Sequence, residues 1–358
     1  MNDPPAPAFA AIGHQESWSQ IEAMLQALRA PAQKPLSAVQ IRETVPWIPP
    51  RTVGRLQVSA PGGIPVHGIY VETFITPSEL ALRQTNRMLG KVRDGIRAAQ
   101  REGARLATLG GFTSILMESM AEEAPDGIAL TTGNTLTAAL IVRGVERAAG
   151  LLGRGLADET LLIIGATGDV GSACARRFAG RTRRLLLVAR NRQRLETECA
   201  TLRRSCDAAA STDVLEYLRQ ATVVISAAST AQPEFTLDRC ALNAIVCDAG
   251  YPKNIRPPSG APRRHVFWGG MGRLDGGFQP QGTLCEKFYT FPVSDTAHGC
   301  MLEGAVLAVN NRFEPFSRGR GHITVERMEE MWLLADRAGV TVAPLFNGDG
   351  LWREEVRP

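Results

Sequence analysis

Residues 160–178 read TLLIIGATGDVGSACARRF. Five residues of a buried strand run into a glycine turn, and an alternation of small and apolar residues with helical spacing follows. Gly165, Gly168 and Gly171 set a GxxGxxG spacing. The first glycine permits the tight turn out of the strand, the second lets backbone approach a pyrophosphate, and the third lets the helix pack close to the sheet. A helix starting at this point offers unpaired N–H groups and the positive end of its dipole to phosphate. Glycine triplets alone are weak signals; strand before and helix after is the context that gives this one meaning. Thr167, Asp169 and Val170 complete the loop and count with its glycines as cofactor-binding residues.

Outward from this turn the same texture repeats. RRLLLVARN at 183–191 is a second strand with a helix after it, at about 191–204. EYLRQATVVISAAS is a helix running into a third strand, and LNAIVCDAGYPKN and RHVFWGGM supply two more. Strands alternating with helices imply right-handed βαβ units and a parallel sheet. The expectation is an α/β protein: a Rossmann-like doubly wound parallel sheet over 155–290. Beside it stands an α+β substrate domain over 1–150, onto which 295–358 folds back.

The end of the second strand specifies the dinucleotide. An enzyme using NAD usually has an acid there, bonded to the ribose 2′-hydroxyl. No acid lies between Asp169 and Glu196; Arg190, Asn191, Arg192 and Arg194 occupy the position. Guanidinium groups match a 2′-phosphate with charged, bidentate bonds, so the expected cofactor is NADPH. Gly250, Tyr251 and Gly269 follow later strands, at the sheet edge where ligands bind, and are expected to line the same site.

The N-terminal part is plainer. Residues 1–13 look like a loose leader; 17–30 have helical periodicity (Trp18, Ile21, Met24, Leu25, Leu28). Prolines break the chain from 31 to 50, two strands joined by a turn at 61–63 fill 52–75, and a long helix is expected at about 78–102. Glycine-bearing loops at 109–115 and 131–135 precede a helix at about 135–152. Arg83, Arg87, Lys91, Arg93 and Arg97 gather on the 78–102 helix, as a face for an acidic partner or as a solvated surface.

Net charge is only +4 over 358 residues, too little to argue for nucleic acid. No apolar run reaches the ~18 residues of a membrane span. The N-terminus, MNDPPAPAFAAIGH, lacks the basic start of a signal peptide. Seven cysteines, at 174, 199, 206, 240, 247, 285 and 300, show neither CxxC nor zinc spacing and suit a reducing compartment. A cytoplasmic location is therefore expected.

One cysteine has its own context. Ser294, Asp295 and Thr296 are candidate N-cap residues for an apolar helix, which puts Cys300 in its first or second turn. A thiolate is favoured near a helix N-terminus, although a buried cysteine is also ordinary core. His298 is two residues away, and i and i+2 do not face each other on a helix. The other six cysteines read as structural.

A resemblance now enters. Ile12-Gly13-His14, Val66-His67-Gly68-x-Tyr70, GGFTSI at 110–115, TTGNTxTA at 131–138, GATGDVGSA at 165–173, ARNxxRL at 189–195, GYPKN at 250–254, Cys300 and GHITVERME at 321–329 follow one another in order. Together they resemble the cyanobacterial-type long-chain acyl-(acyl-carrier-protein) reductases, which make fatty aldehydes. The resemblance implies a thioester substrate carried by acyl carrier protein or coenzyme A, an acyl-enzyme on Cys300, and NADPH as reductant. It also implies an apolar tunnel for the acyl tail, from the helices at 17–30 and 135–152 and the GGFTSI segment. Ser114, Asn134 and Lys253, each in a glycine-bearing loop, are candidate donors to the reacting carbonyl oxygen. The stretch 272–299 and the leader depart from the family's pattern and leave the acyl group open. Two other readings stand beside this one: a shikimate-dehydrogenase-like oxidoreductase without a covalent intermediate, and a non-catalytic NADP- or carrier-protein-binding module.

Overall fold

The computed structural model describes residues 5–29, 33–82, 84–119, 125–229, 235–251, 253–256, 265–275, 277–278, 281–282, 289–318 and 322–356. Arg83, Pro252, Gly321 and Cys285 lie outside the described residues. The chain divides into two compact units. One comprises Met1–Gly133, Arg273–Ser317 and Leu334–Val340; the other comprises Asn134–Gly272, Arg318–Leu333 and Thr341–Pro358. The helix at 134–151, grouped with the first domain by sequence, packs with the second unit.

The first unit is built on β1 (Phe9–Gly13), α1 (Trp18–Ala27), α2 (Ala38–Thr44), β2 (Arg51–Val58), β3 (Val66–Glu72), α3 (Thr85–Arg101), β4 (Leu106–Leu109), α4 (Phe112–Ser119) and β5 (Ala129–Thr131). Its sheet order is β2-β3-β1-β4-β5. Only β2–β3 is antiparallel; β1 pairs in parallel with β3 and β4, and β4 with β5. The expected α+β unit is thus a mostly parallel sheet carrying one hairpin.

The leader reading is corrected here. Residues 9–13 form the middle strand of this sheet, and all five are buried. FAAIG has no alternation because both faces of the strand are covered, as parallel strands require. Gly68 on β3 leaves room for Phe9, whose ring would lie 2.4 Å from any Cβ there. The long helix also starts later than its periodicity suggests. A 3-10 turn occupies Pro77–Leu82, and α3 then buries Met88, Leu89, Val92 and Ile96 at i, i+3/i+4 spacing.

The basic cluster on α3 is not one solvated face. Lys91 is buried and its ammonium donates to the Val45 carbonyl at 2.6 Å; burial holds its pKa down at about 8. Arg87 pairs with the buried Glu79 at 2.7 Å, and Arg97 with Asp94 at 3.4 Å.

The second unit begins with α5 (Asn134–Leu151) and continues through β6 (Thr160–Ile164), α6 (Asp169–Phe178), β7 (Arg184–Val188), α7 (Arg192–Leu202), β8 (Ala208–Ser211), α8 (Leu215–Leu218) and β9 (Val223–Ser226). Two further strands, β10 (Ile245–Asp248) and β11 (Val266–Trp268), complete the sheet. All pairings are parallel, in the order β11-β10-β9-β6-β7-β8. That is the doubly wound order, reversing at β6, and its switch point lies where the glycine turn leaves the strand. Leu161, Ile163, Leu185, Leu187 and Ile225 pack on one face, with Leu162, Leu186 and Val224 on the other. Cys174 and Cys247 are fully buried in the first of these cores.

The buried status of β1 makes a direct prediction. Ile12→Ala should destabilise the first unit by about 2–5 kcal/mol, since it removes a fully buried side chain from a central strand. Urea unfolding checks it; a change within a few tenths of a kcal/mol would mean that this segment is peripheral.

Candidate functional site

The nucleotide loop lies at the switch point of the second unit. Gly165 has φ 84°, and a Cβ there would lie 2.8 Å from the Ala227 carbonyl oxygen; a Cβ on Gly171 would lie 2.2 Å from the Gly165 carbonyl oxygen. Both glycines are demanded by the protein's own packing. Gly168 is different, because a Cβ there meets only the Gly165 carbonyl oxygen, at an ordinary 3.4 Å. It N-caps α6 without a side-chain cap bond, leaving the helix N-terminus open above it. That cradle fits a pyrophosphate. Thr167, Asp169 and Val170 sit in the same turn, and Asp169 accepts from the Asn134 side-chain amide at 3.3 Å.

At the end of β7, Arg190, Asn191, Arg192 and Arg194 are all exposed. Asn191 N-caps α7 by accepting from the Arg194 N–H at 3.0 Å. Three arginines thus follow the strand end at which an acid would hold a ribose 2′-hydroxyl.

The loop after β10 is organised by Asp248, a residue the sequence reading passed over. Its buried carboxylate accepts from the backbone N–H groups of Gly250, Asn254 and Ile255 at 3.1–3.2 Å. Burial pushes its pKa up, opposed by nearby Lys253 and by those N–H donors. Lys253 Nζ donates to the Asp248 carbonyl at 3.4 Å and lies 5.3 Å from the centre of the Trp268 ring. Gly250 and Gly269 are packing glycines: a Cβ would lie 2.2 Å from the Asn254 side chain and 2.4 Å from Cys247 Sγ, respectively. Tyr251 is half-buried in this loop.

The cysteine belongs to the first unit. A strand at Thr296–His298 leads directly into α9 (Gly299–Val309). The N-cap is His298, without a side-chain cap bond; the expected caps Ser294, Asp295 and Thr296 precede or enter the strand instead. Cys300 is therefore the second helical residue, closer to the N-terminus than the polar triplet suggested. The His298 ring stacks edge-on with Phe291 and Tyr289, at centroid distances of 5.4 and 6.2 Å.

Three contacts hold Cys300 against the carboxyl ends of β4 and β5. Thr108 Oγ1 on β4 donates to the Cys300 carbonyl oxygen. Gly133, just past β5 with φ 71°, lies so close that a Cβ would sit 2.3 Å from the Cys300 Cα. Glu303, one helical turn on and fully buried, accepts from Thr131 Oγ1 and, at 2.7 Å, from Ser317 Oγ. Burial pushes the Cys300 thiol up to about 11; the backbone N–H groups of Gly111 and Met301 pull it back, and Glu303 adds to the rise. Ser114 lies on α4, where its hydroxyl donates to the Gly111 carbonyl at 2.7 Å. Of the four candidate catalytic side chains, Cys300 and Ser114 belong to the first unit, and Asn134 and Lys253 to the second.

Among the described residues, no group of three or more His, Cys, Asp or Glu could hold a metal, and no helix is long and apolar enough to cross a membrane.

A doubly wound sheet with an open phosphate cradle at its switch point marks a dinucleotide-binding domain of the Rossmann type, and the comparisons make it that of a nicotinamide-dependent oxidoreductase. Comparison with known proteins narrows the class. The chain is 30% identical to the long-chain acyl-[acyl-carrier-protein] reductase of Synechococcus elongatus over 81% of this chain and 87% of that protein. The chain belongs to the long-chain acyl-[acyl-carrier-protein] reductase family. The shikimate / quinate 5-dehydrogenase family model matches residues 146–265. The aminotransferase PigE of a Serratia species is 25% identical over 74% of this chain, which spans 31% of that protein. Among solved structures, quinate dehydrogenase from Corynebacterium glutamicum in complex with NAD is similar at TM-score 0.34 and 13% identity, covering 69% of this chain and 81% of that one.

Glu303 supplies the prediction here. Glu303→Gln keeps an oxygen for Thr131 and Ser317 but removes the negative charge that raises the Cys300 pKa. Iodoacetamide should alkylate Cys300 about three- to tenfold faster at pH 8 in this variant. Peptide mapping checks it, and a slower reaction would contradict the assigned sign.

Proposed function

We propose that the protein reduces an acyl thioester, delivered on acyl carrier protein or coenzyme A, to an aldehyde with NADPH as reductant. The observation that carries this reading is the setting of Cys300: the second residue of α9, held by Thr108 and Gly133 at the ends of two parallel strands. Membership of the acyl-[acyl-carrier-protein] reductase family supplies the substrate class.

The protein's own groups account for the acyl transfer. The Cys300 sulfur attacks the thioester carbonyl carbon, a new C–S bond forms, and the old one breaks. The carrier leaves as a thiol with the proton that Cys300 gave up. Burial pushes the Cys300 thiol up to about 11, so little of it is thiolate at neutral pH, and stabilisation of the charge that gathers on the sulfur during attack matters most. Tethering the acyl group makes its reduction effectively unimolecular. A bound nicotinamide dinucleotide supplies the hydride for the thioester carbonyl. The C–S bond to Cys300 then breaks to release the aldehyde, and the thiolate takes up a proton from solvent. Gly165, Gly168 and Gly171 would hold the pyrophosphate, and Arg190, with Arg194, the 2′-phosphate.

Two measurements test the reading. Cys300→Ala should lower thioester-dependent NADPH oxidation on the order of 1000-fold while leaving NADPH binding unchanged. Undiminished turnover would instead favour direct hydride transfer without a covalent intermediate, the mode of the shikimate-dehydrogenase-like reading. Arg190→Ala should raise KM for NADPH about tenfold or more and barely move KM for NADH. Equal effects on both would remove the basis for preferring NADPH.

A further inference from the structure

The sheet order of the second unit, β11-β10-β9-β6-β7-β8, gives the two halves of a dinucleotide different neighbours. The glycine turn leaves β6, and Arg190 and Arg194 follow β7, to one side of it. A dinucleotide that straddles the switch point with its adenosine half on that side lays its nicotinamide half over the carboxyl ends of β9 and β10. Asp248, the last residue of β10, stands at that edge with 3% of its surface exposed. It makes two kinds of attachment. Its carboxylate gathers the backbone N–H groups of Gly250, Asn254 and Ile255 at 3.1–3.2 Å. Its carbonyl oxygen accepts the Gly269 N–H at 2.9 Å and the Lys253 ammonium at 3.4 Å. Asn254, fully buried, then ties the loop to the neighbouring strand end: its side-chain amide donates to the Ala228 carbonyl at 2.8 Å. Ala228 is itself packed on the glycine turn, since a Cβ on Gly165 would lie 2.9 Å from its backbone nitrogen. Hydrogen bonds within one unit therefore fix Lys253 relative to the phosphate cradle. Its half-buried ammonium ends 5.3 Å from the centre of the Trp268 ring.

From this arrangement we infer that Asp248 is a positioning residue for the cofactor: it holds the ammonium of Lys253 at the sheet edge, as a donor to the nicotinamide half of the dinucleotide. An ammonium has three donors and no acceptor, and the nicotinamide half offers ribose hydroxyl and carboxamide oxygens. Closing a turn needs nothing so costly. A short exposed polar residue does it, whereas a buried carboxylate is penalised unless its bonds are made. Asp248 spends that carboxylate on the loop and its carbonyl on the ammonium, so one residue governs where Lys253 lies.

The test is binding, not turnover: calorimetric titration of the full chain with NADPH and with adenosine 2′,5′-bisphosphate, the adenosine half of NADPH. Asp248→Asn keeps one oxygen but turns amide N–H groups toward the Asn254 and Ile255 N–H donors. It should raise Kd for NADPH about tenfold and leave Kd for the bisphosphate within about twofold. Lys253→Met should do the same. The double variant should bind NADPH no more weakly than Lys253→Met, because both changes remove one contact. Additive losses in the double variant would overturn the inference. So would an unmoved NADPH Kd in Asp248→Asn, or equal weakening of both ligands, which marks a purely structural role. If Asp248→Asn does not fold, Asn254→Ser, which gives up the bond to Ala228, replaces it in the same cycle with the same outcomes. The role rests on NADPH as the cofactor in this crevice. A wild-type chain that binds neither ligand would remove that reading and the inference together, whereas normal wild-type binding with unmoved variants removes the inference alone.

Discussion

The anchoring of Cys300 to the ends of β4 and β5 is the constraint on which the proposed chemistry depends. A cysteine near a helix N-terminus is common; one whose carbonyl is held by Thr108 and whose Cα leaves no room for a side chain at residue 133 is fixed in place. The same logic extends along α9. Gly304 lies where a Cβ would come 2.8 Å from Thr108 Cγ2, so the helix lies directly on β4. Glu303 then joins α9 to β5 and to Ser317 through two hydroxyl donors. A buried carboxylate satisfied by neutral hydroxyls is expensive.

Charge and geometry pull in opposite directions at this site. Burial and Glu303 disfavour a resting thiolate, while the backbone N–H groups of Gly111, Met301 and Cys300 itself favour it. For the proposed acyl transfer, such a thiol is quiet until the reaction draws charge onto the sulfur.

The second unit was legible because its signals are local. A glycine turn between an apolar strand and a helix, and arginines in place of an acid after β7, can be read from a few adjacent residues, and β6, β7, β9, β10 and β11 all fell within stretches read as strands. In the first unit the hairpin strands β2 and β3 fell within 52–75, read as two strands, but β1, β4 and β5 were hidden. LATL and ALT, at β4 and β5, are too short for periodicity, and FAAIG follows prolines and has no polar face. The edge strand β8, AAAS, was missed for a similar reason. The N-cap error at 294–296 came from a polar triplet that has the composition of a cap but leads into a strand. Asp248 and Glu303 looked like ordinary acids, because burial and long-range partners decide their roles. Asn134 donates to Asp169, and Lys253 meets Asp248 and Trp268, contacts that patterning does not reveal.

The central claim is that Cys300 carries the acyl group. The most direct measurement is the intact mass of the protein after mixing with a long-chain acyl thioester in the absence of NADPH, for wild type and Cys300→Ala. The account predicts a gain of one acyl group in wild type alone, mapped to Cys300 and lost when NADPH is added. An equal gain in both proteins, or an acyl group on wild type that NADPH does not remove, would contradict it.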